Sequence, residues 1–357
     1  MTAALRIVDA NFNRAREALR VMEEAARFLL EDADLTREIK QLRHDLTEAV
    51  APLSAMIAWR NTPGDVGTRI STEAEEHRHR QDDVIAAAAS RLTEALRAIE
   101  EYAKTLPQVQ GQEKLAGAIE AIRYRSYTAQ QQLMAAMGSG RARQWRLCLL
   151  VSEDLCAGRD WLAVTEAAIG GGVDCVQLRE KALEGGELLH RARELVTLCR
   201  GREVAVVIND RPDIALLAGA DGVHLGQHDL PIEAVRRLAG FQLLVGMSTA
   251  NLEQARVAVA AGADYCGVGP MFATTTKEKN HISGPPYLRQ FREAFTQTPH
   301  LAIGGISPDN VEQVVVAGAA GVAVSSAICA AEDPATVAAA LRGPLDRMVG
   351  PVDIKGH

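Results

Sequence analysis

From Arg146 to the C-terminus, short β-rich runs alternate with helix-patterned segments eight times. Few folds accept that many βα units in about 200 residues. The runs fall at 147–152, 175–179, 204–209, 222–225, 243–246, 265–269, 301–304 and 321–325. Eight parallel strands with a helix after each predict an α/β fold, a closed (β/α)8 or TIM barrel. An open doubly wound sheet is the structural rival, but no G-x-G-x-x-G follows the first run.

The residues before this point have a different period. Phe12, Ala15, Leu19, Met22, Ala26 and Leu29 recur at threes and fours, which marks one face of a helix. Helices are expected near 8–31, 34–58, 82–106 and 112–137, with turn chemistry in the loop Asn61-Thr-Pro-Gly-Asp-Val-Gly67. An internal echo joins them: Arg14, Glu17, Ala18, Leu19, Arg20, Glu23 and Glu24 match Arg91, Glu94, Ala95, Leu96, Arg97, Glu100 and Glu101 at one constant offset. Duplicated helices bury their stripes against each other, so the two copies should pack as relatives. The helical pattern breaks around Gly138-Ser-Gly140, giving an all-α domain over 1–140 and a barrel domain over 146–349.

A length of 357 residues supports two domains with real cores. A net charge of −7 and only 4% aromatic residues argue against a nucleic-acid binder. The six cysteines all follow residue 147 and form no C-x-x-C pair, so neither zinc nor a disulfide framework is indicated. With no signal-peptide pattern and no membrane-length apolar run, a cytoplasmic protein off the membrane is expected.

Active sites of such barrels lie at the C-terminal strand ends, and this chain loads them with polar groups. Strand two ends in Gln177-Leu-Arg-Glu-Lys181, strand three in Asn209-Asp210, strand four in His224-Leu-Gly-Gln-His-Asp229, and strand five near Ser248. Asp210 and Asp229 suit a hard cation, because Mg²⁺ takes one or two carboxylates plus water and phosphate oxygens. Capping of the next helix is the other reading for Asp229. His224 and His228 lack a third ligand for zinc and are expected to hydrogen-bond locally.

Strand six leads into Gly269-Pro-Met-Phe-Ala-Thr-Thr-Thr-Lys277, where Thr274, Thr275, Thr276 and Lys277 can donate to anionic oxygens. Strands seven and eight end in Ile303-Gly-Gly-Ile306 and Ala323-Val-Ser-Ser326, the adjacent loops that commonly hold phosphate in a barrel. Two anion regions result, one around Arg179, Lys181, Lys277 and the metal, the other around Gly305, Ser325 and Ser326. No Ser-His-Asp order, Cys-His pair or close carboxylate dyad stands out.

Taken in order, Gln177-Leu-Arg-Glu-Lys181, Ile-Asn209-Asp210-Arg, Gly-Val-His224-Leu-Gly-Gln-x-Asp229-Leu, Gly-x-Ser248, the strand-six loop and Ala-Ile-Gly-Gly-Ile306 resemble thiamine-phosphate synthase. The resemblance covers 146–345. It implies condensation of hydroxymethylpyrimidine diphosphate with a thiazole phosphate, with Mg²⁺ as cofactor and diphosphate released. By that likeness Gln177, Arg179, Lys181, Asn209, Ser248 and Lys277 hold the pyrimidine diphosphate. Asp210 and Asp229 hold the metal, Thr274, Thr276, Gly305, Ser325 and Ser326 the thiazole phosphate, and Leu178, Glu180 and Thr275 count among the substrate-binding residues. Arg179, Lys181, Ser248 and Lys277 are the catalytic candidates. The chain departs from the family in Leu149-Leu-Val-Ser-Glu153, where the family tends toward a Tyr and an Asp, and at Ala273, where a Pro is common.

The helical part resembles a small hydroxymethylpyrimidine-phosphate kinase domain in Ile7-Val-Asp-Ala-Asn-Phe-Asn-Arg-Ala-Arg-Glu-Ala-Leu-Arg20, Leu42-Arg-His-Asp-Leu46, Asp65-Val-Gly67 and Glu100-Glu-Tyr-Ala-Lys104. That resemblance implies ATP as a further ligand, with Arg14, Arg20, Arg43 and Asp65 as candidate contacts. No Walker-type loop accompanies them, and i,i+4 pairing on a solvated face is the other reading of the arginines. The rival for the whole chain is a thiazole-tautomerase-like barrel whose N-terminal helices only associate copies. A homo-oligomer is expected.

Overall fold

In the computed structural model, the apolar stripe of the first helix becomes the inner face of α1 (Thr2–Phe28), with Ala15, Leu19, Met22 and Ala26 fully buried. The structure describes residues 2–53, 81–106, 112–142, 145–274 and 282–348. Leu29 leaves the stripe because the helix has ended and the chain turns through Glu31 at φ 52°, so Leu29 is exposed. α2 (Ala33–Val50) starts under Asp32, whose carboxylate accepts from the amides of Asp34 and Leu35 and satisfies donors that a helix start leaves open. α3 (Gln81–Ala103) and α4 (Gln112–Ala142) follow, and the four helices among the described residues of this unit share one apolar core. The expected loop around Asp65 and the end of the second expected helix lie outside the described residues.

The sequence echo is also an echo in packing. α1 packs against α3 more extensively than against any other helix, and the matched Leu19 and Leu96 are both fully buried. One matched pair of glutamates, Glu23 and Glu100, takes an arginine from the next described helix in each case. Arg43 Nε donates to Glu23 at 2.9 Å, and Arg123 Nε donates to Glu100 at 3.0 Å. Arg43 is thus held by a glutamate, and Arg20 pairs with Glu24 at 2.7 Å along an exposed face. The expected break at Gly138-Ser-Gly140 is not a helix end, since α4 runs on to Ala142. Each glycine costs about 1 kcal/mol relative to alanine, which a 31-residue hydrogen-bonded helix absorbs. By contacts, the chain still divides at Met137 and Gly138.

The second unit is the expected barrel. β1 (Leu147–Val151), β2 (Cys175–Leu178), β3 (Ala205–Asn209), β4 (Gly222–Leu225), β5 (Leu244–Thr249), β6 (Tyr265–Val268), β7 (His300–Ile303) and β8 (Val322–Val324) pair in parallel and close, β8 onto β1. The helices are α5 (Trp161–Gly170), α6 (Gly185–Cys199), α7 (Pro212–Ala218), α8 (Ile232–Ala239), α9 (Leu252–Ala260), α10 (Gly284–Ala294), α11 (Val311–Val316), α12 (Ser326–Cys329) and α13 (Pro334–Met348). Period-two alternation sorts the side chains. Cys148, Leu150, Cys175, Val207, Leu244, Tyr265, Leu301 and Ala323 form the cluster inside the barrel, while Leu149, Val176, Leu178, Ile208 and Val245 pack outward under the helices.

A carboxylate device ties the strand starts together at the floor. Asp174, Asp221 and Asp264 stand just before β2, β4 and β6 and accept from the amides of Leu147, Val206 and Val245 at 3.0, 2.7 and 2.7 Å. Before β8 the chain has Ala320 instead, and the device is reversed: the Ala320 amide donates to Nε2 of His300, at the start of β7, at 3.3 Å. Burial holds the His300 imidazole below its ordinary value, and a proton on Nε2 would meet the Ala320 N–H. A histidine with a lowered folded-state value binds its proton more readily unfolded. Its contribution to stability is therefore complete above pH 6.5 and is lost as pH falls below that value. We expect Tm to drop between about pH 7.5 and about pH 5.5. His300→Gln should flatten that drop in thermal melts, and an unchanged slope in the variant would reject the role.

Candidate active site

Alternation at the end of β2 decides which residues face the mouth. Gln177, Arg179 and Lys181 line one cavity, whereas Leu178 is buried among the outward core residues. Glu180 also turns away, accepting from the Glu153 amide at 2.7 Å and pairing with Arg191 at 3.3 Å. Neither Leu178 nor Glu180 lines the cavity, so the structure does not bring these two sequence candidates to the others. The reason is geometric: a contiguous motif on a strand cannot present every side chain to one face.

At the end of β3 the backbone re-aims. Asp210 sits at φ 63°, in the left-handed region that aspartate tolerates better than most residues, and its amide donates to the His224 carbonyl at 2.9 Å. Asn209 and Asp210 therefore both line the cavity although they are consecutive. Asp229 meets Asp210 from the next strand end, its Oδ2 accepting from the Gly226 amide at 2.7 Å. It caps no helix, because the cap position of α8 is Pro231. Burial, and then the Asp229 carboxyl, push the Asp210 carboxyl above the usual carboxylate range, while Lys181 Nζ opposes the shift from 3.1 Å.

Two crowded carboxylates with one ammonium fit a hard divalent cation, which would relieve their repulsion and complete its shell with water and phosphate oxygens. Among the described residues no group of three or more His, Cys, Asp or Glu side chains gathers.

Ser248, near the end of β5, lies with its Oγ 2.9 Å from Nε2 of His224, whose Nδ1 is 3.1 Å from the hydroxyl of Tyr265. Two glycines make room for this chain of side chains. A Cβ at Gly246 would stand 2.2 Å from Tyr265 Cζ, and one at Gly267 would stand 3.1 Å from His224 Cε1.

Across the mouth, Gly304 and Gly305 follow β7 at φ 102° and 65°. A Cβ on Gly305 would fall 2.3 Å from the Ala273 carbonyl oxygen. The strand-six loop lies directly against this turn, the amides of Met271 and Phe272 each donating at 2.9 Å to the carbonyls of Ile303 and Gly304. Ser325 Oγ donates to the Leu150 carbonyl at 2.8 Å, and Ser325 and Ser326 complete that side of the cavity. Thr274 lines it as well, while Thr275, Thr276 and Lys277 lie outside the described residues.

Counted with its open mouth, the cavity spans about 990 Å³. Its walls include Leu150, Pro270, Ile303, Ile306 and Val324. Leu150, Ile303 and Val324 lie on strands, where an apolar residue reads as core. The same holds for Tyr265, a fully interior residue at a strand start.

Residues 147–328 match the family model described as thiamine monophosphate synthase. A thiamine-phosphate synthase from Rhodopirellula baltica is 40% identical over 354 residues, covering 96% of this chain and 93% of the relative. The chain belongs to the thiamine-phosphate synthase family. It is accordingly a transferase.

Membership in the synthase family extends to a relative from Thermosynechococcus vestitus, 43% identical over 92% of this chain and 91% of the relative. Among solved structures, thiamine phosphate pyrophosphorylase from Pyrococcus furiosus superposes with a TM-score of 0.54 at 33% identity, covering 59% of this chain and 99% of that one. The helical unit has its own match: residues 6–132 fit the model of the ThiD2 family. No helix among the described residues is long and apolar enough to cross a membrane.

Proposed function

We propose that the synthase barrel joins 4-amino-2-methyl-5-hydroxymethylpyrimidine diphosphate to 4-methyl-5-(2-phosphoethyl)thiazole, giving thiamine phosphate and diphosphate. The observation that carries this reading is one cavity with Gln177, Arg179, Lys181, Asn209, Asp210, Asp229 and Ser248 on one side and Gly305, Ser325 and Ser326 on the other. The cationic side takes the diphosphate and the glycine turn takes the thiazole phosphate through its backbone amides.

The C–O bond to the diphosphate breaks with its electrons, leaving a cation that the aminopyrimidine ring delocalises. The thiazole nitrogen lone pair then forms the new C–N bond. Arg179 and Lys181 receive the leaving charge, and Ser248 donates to a substrate oxygen or ring nitrogen. Mg²⁺ held by Asp210 and Asp229 would supply charge neutralisation at the diphosphate. Positioning and electrostatics suffice, which agrees with a site without a nucleophile–base pair. Purified chain given both substrates and Mg²⁺ should release thiamine phosphate and diphosphate in equal amounts by chromatography. Absence of product from pure substrates would overturn the reading in favour of a tautomerase-like barrel.

The domain assignment, 1–140 and 146–349, is supported by the separate cores of the two units. The helical unit is assigned to phosphorylation of hydroxymethylpyrimidine phosphate by ATP, which would make the substrate that the barrel consumes. Its match to the ThiD2 family supports this assignment. The full chain carrying Asp210→Asn, given hydroxymethylpyrimidine phosphate, ATP, Mg²⁺ and the thiazole phosphate, should accumulate the pyrimidine diphosphate instead of passing it on. If ATP stays intact, the helical unit is an association module. A cytoplasmic location agrees with six cysteines that are all free and buried, as a reducing compartment leaves them.

A further inference from the structure

We propose that Tyr265 is a positioning residue that acts through His224 to set which way the Ser248 hydroxyl points its proton. The proposal rests on the placement of Ser248 at the substrate argued above. It begins at the barrel floor. The Tyr265 side chain is 2% exposed and lies among Trp145, Cys148, Cys175, Val207, Leu244 and Leu301, an apolar surrounding that offers its hydroxyl little. Trp145 meets the ring edge-on at a centroid distance of 5.1 Å, fixing its plane. Among the described residues, the hydrogen-bond partner of that hydroxyl is Nδ1 of His224, at 3.1 Å.

Two proton arrangements fit the heavy atoms, and burial distinguishes them. If Nδ1 carried the proton, it would donate to the phenol oxygen and leave the phenol proton aimed into apolar surroundings. A buried donor without an acceptor is strongly disfavoured. Burial also pushes the Tyr265 phenol well above its ordinary value, so the hydroxyl keeps its proton. Tyr265 therefore donates, Nδ1 accepts, and the neutral imidazole carries its proton on Nε2.

Nε2–H in turn donates to Ser248 Oγ, 2.9 Å away. With its oxygen accepting from the imidazole, Ser248 has its own proton left to give, and it gives it into the cavity it lines. The opposite tautomer would accept the serine proton and leave the site one donor short. In this arrangement His224 has no lone pair toward Ser248, so it orients the serine and does not deprotonate it.

The test uses the full-length protein. In the ¹⁵N spectrum of histidine-labelled wild type, with His224 assigned by its loss in His224→Gln, the ring should be neutral with the proton on Nε2. Tyr265→Phe keeps the aromatic ring and removes the hydroxyl. The tautomer should move toward Nδ1–H. The kcat should fall at least about tenfold while KM for the pyrimidine diphosphate stays within about twofold. In a Ser248→Ala background the same substitution should change kcat by less than about twofold, because the path ends at that hydroxyl.

A wild-type ring protonated on Nδ1 overturns the proposal without any variant. So does a Tyr265→Phe protein whose tautomer changes while kcat does not, or whose loss is undiminished in the Ser248→Ala background. A Ser248→Ala protein with full kcat would overturn the functional half, namely the serine at the substrate, while the spectrum separately decides the tautomer.

Discussion

Asp210→Asn and Asp229→Asn should each lower kcat by about two to three orders of magnitude. Both are expected to raise the Mg²⁺ concentration needed for half-maximal rate. The substitutions are conservative in the ways that matter for folding. Asparagine tolerates the φ of 63° at position 210, and an amide oxygen at position 229 can still accept from the Gly226 amide. What is lost is charge. The Asp210 carboxyl is held above its ordinary range, so the ionised form opposes folding as pH rises through its folded-state value. At neutral pH without divalent cation, Asp210→Asn should therefore raise Tm, and the rise in Tm expected for wild type on adding Mg²⁺ should be lost. Melts with and without chelator, beside a Mg²⁺ titration of the rate, test both halves. A variant with kcat within about threefold of wild type at saturating Mg²⁺ would remove the carboxylate pair from the reaction.

At Gly305, substitution by alanine should raise KM for the thiazole phosphate by about tenfold or more and leave KM for the pyrimidine diphosphate near wild type. Two costs coincide. Alanine at φ 65° is strained by about 1 kcal/mol, and its Cβ would stand 2.3 Å from the Ala273 carbonyl oxygen and 2.9 Å from Phe272 Cβ. A backbone oxygen cannot rotate away as a side chain can, so the turn and the strand-six loop packed on it must shift together. Separate KM values decide the assignment: equal rises for both substrates would mean general damage, and no rise would mean that the phosphate sits elsewhere.

Much of this site was legible in the chain because strand ends are short and their polar residues stand out. Gln177, Arg179 and Lys181 follow the two-residue period, and Asn209-Asp210, Asp229 and Ser248 stand at or within a few residues after the end of a β-rich run. The diglycine after β7 could be placed at a phosphate site by strand order alone. Leu178 and Glu180 show the limit, since a motif read as a unit was split by the alternation of its own strand. The helical duplication was visible as a repeated string, but its consequence was not. That Glu23 and Glu100 are held by Arg43 and Arg123, each from the following helix, depends on how the helices pack.

Period, turn residues and strand-end polarity act over a few positions, so the eight βα units, the helical unit before them and the charged loops could be read from the chain alone. Only the tertiary structure decided that Asp210 and Asp229 crowd one another, that Asp174, Asp221 and Asp264 stitch the floor, and that Tyr265 reaches Ser248 through His224. These contacts join residues from different strands. Their partners are chosen by barrel register, by the space left at Gly246 and Gly267, and by burial that leaves a polar group few places to bond.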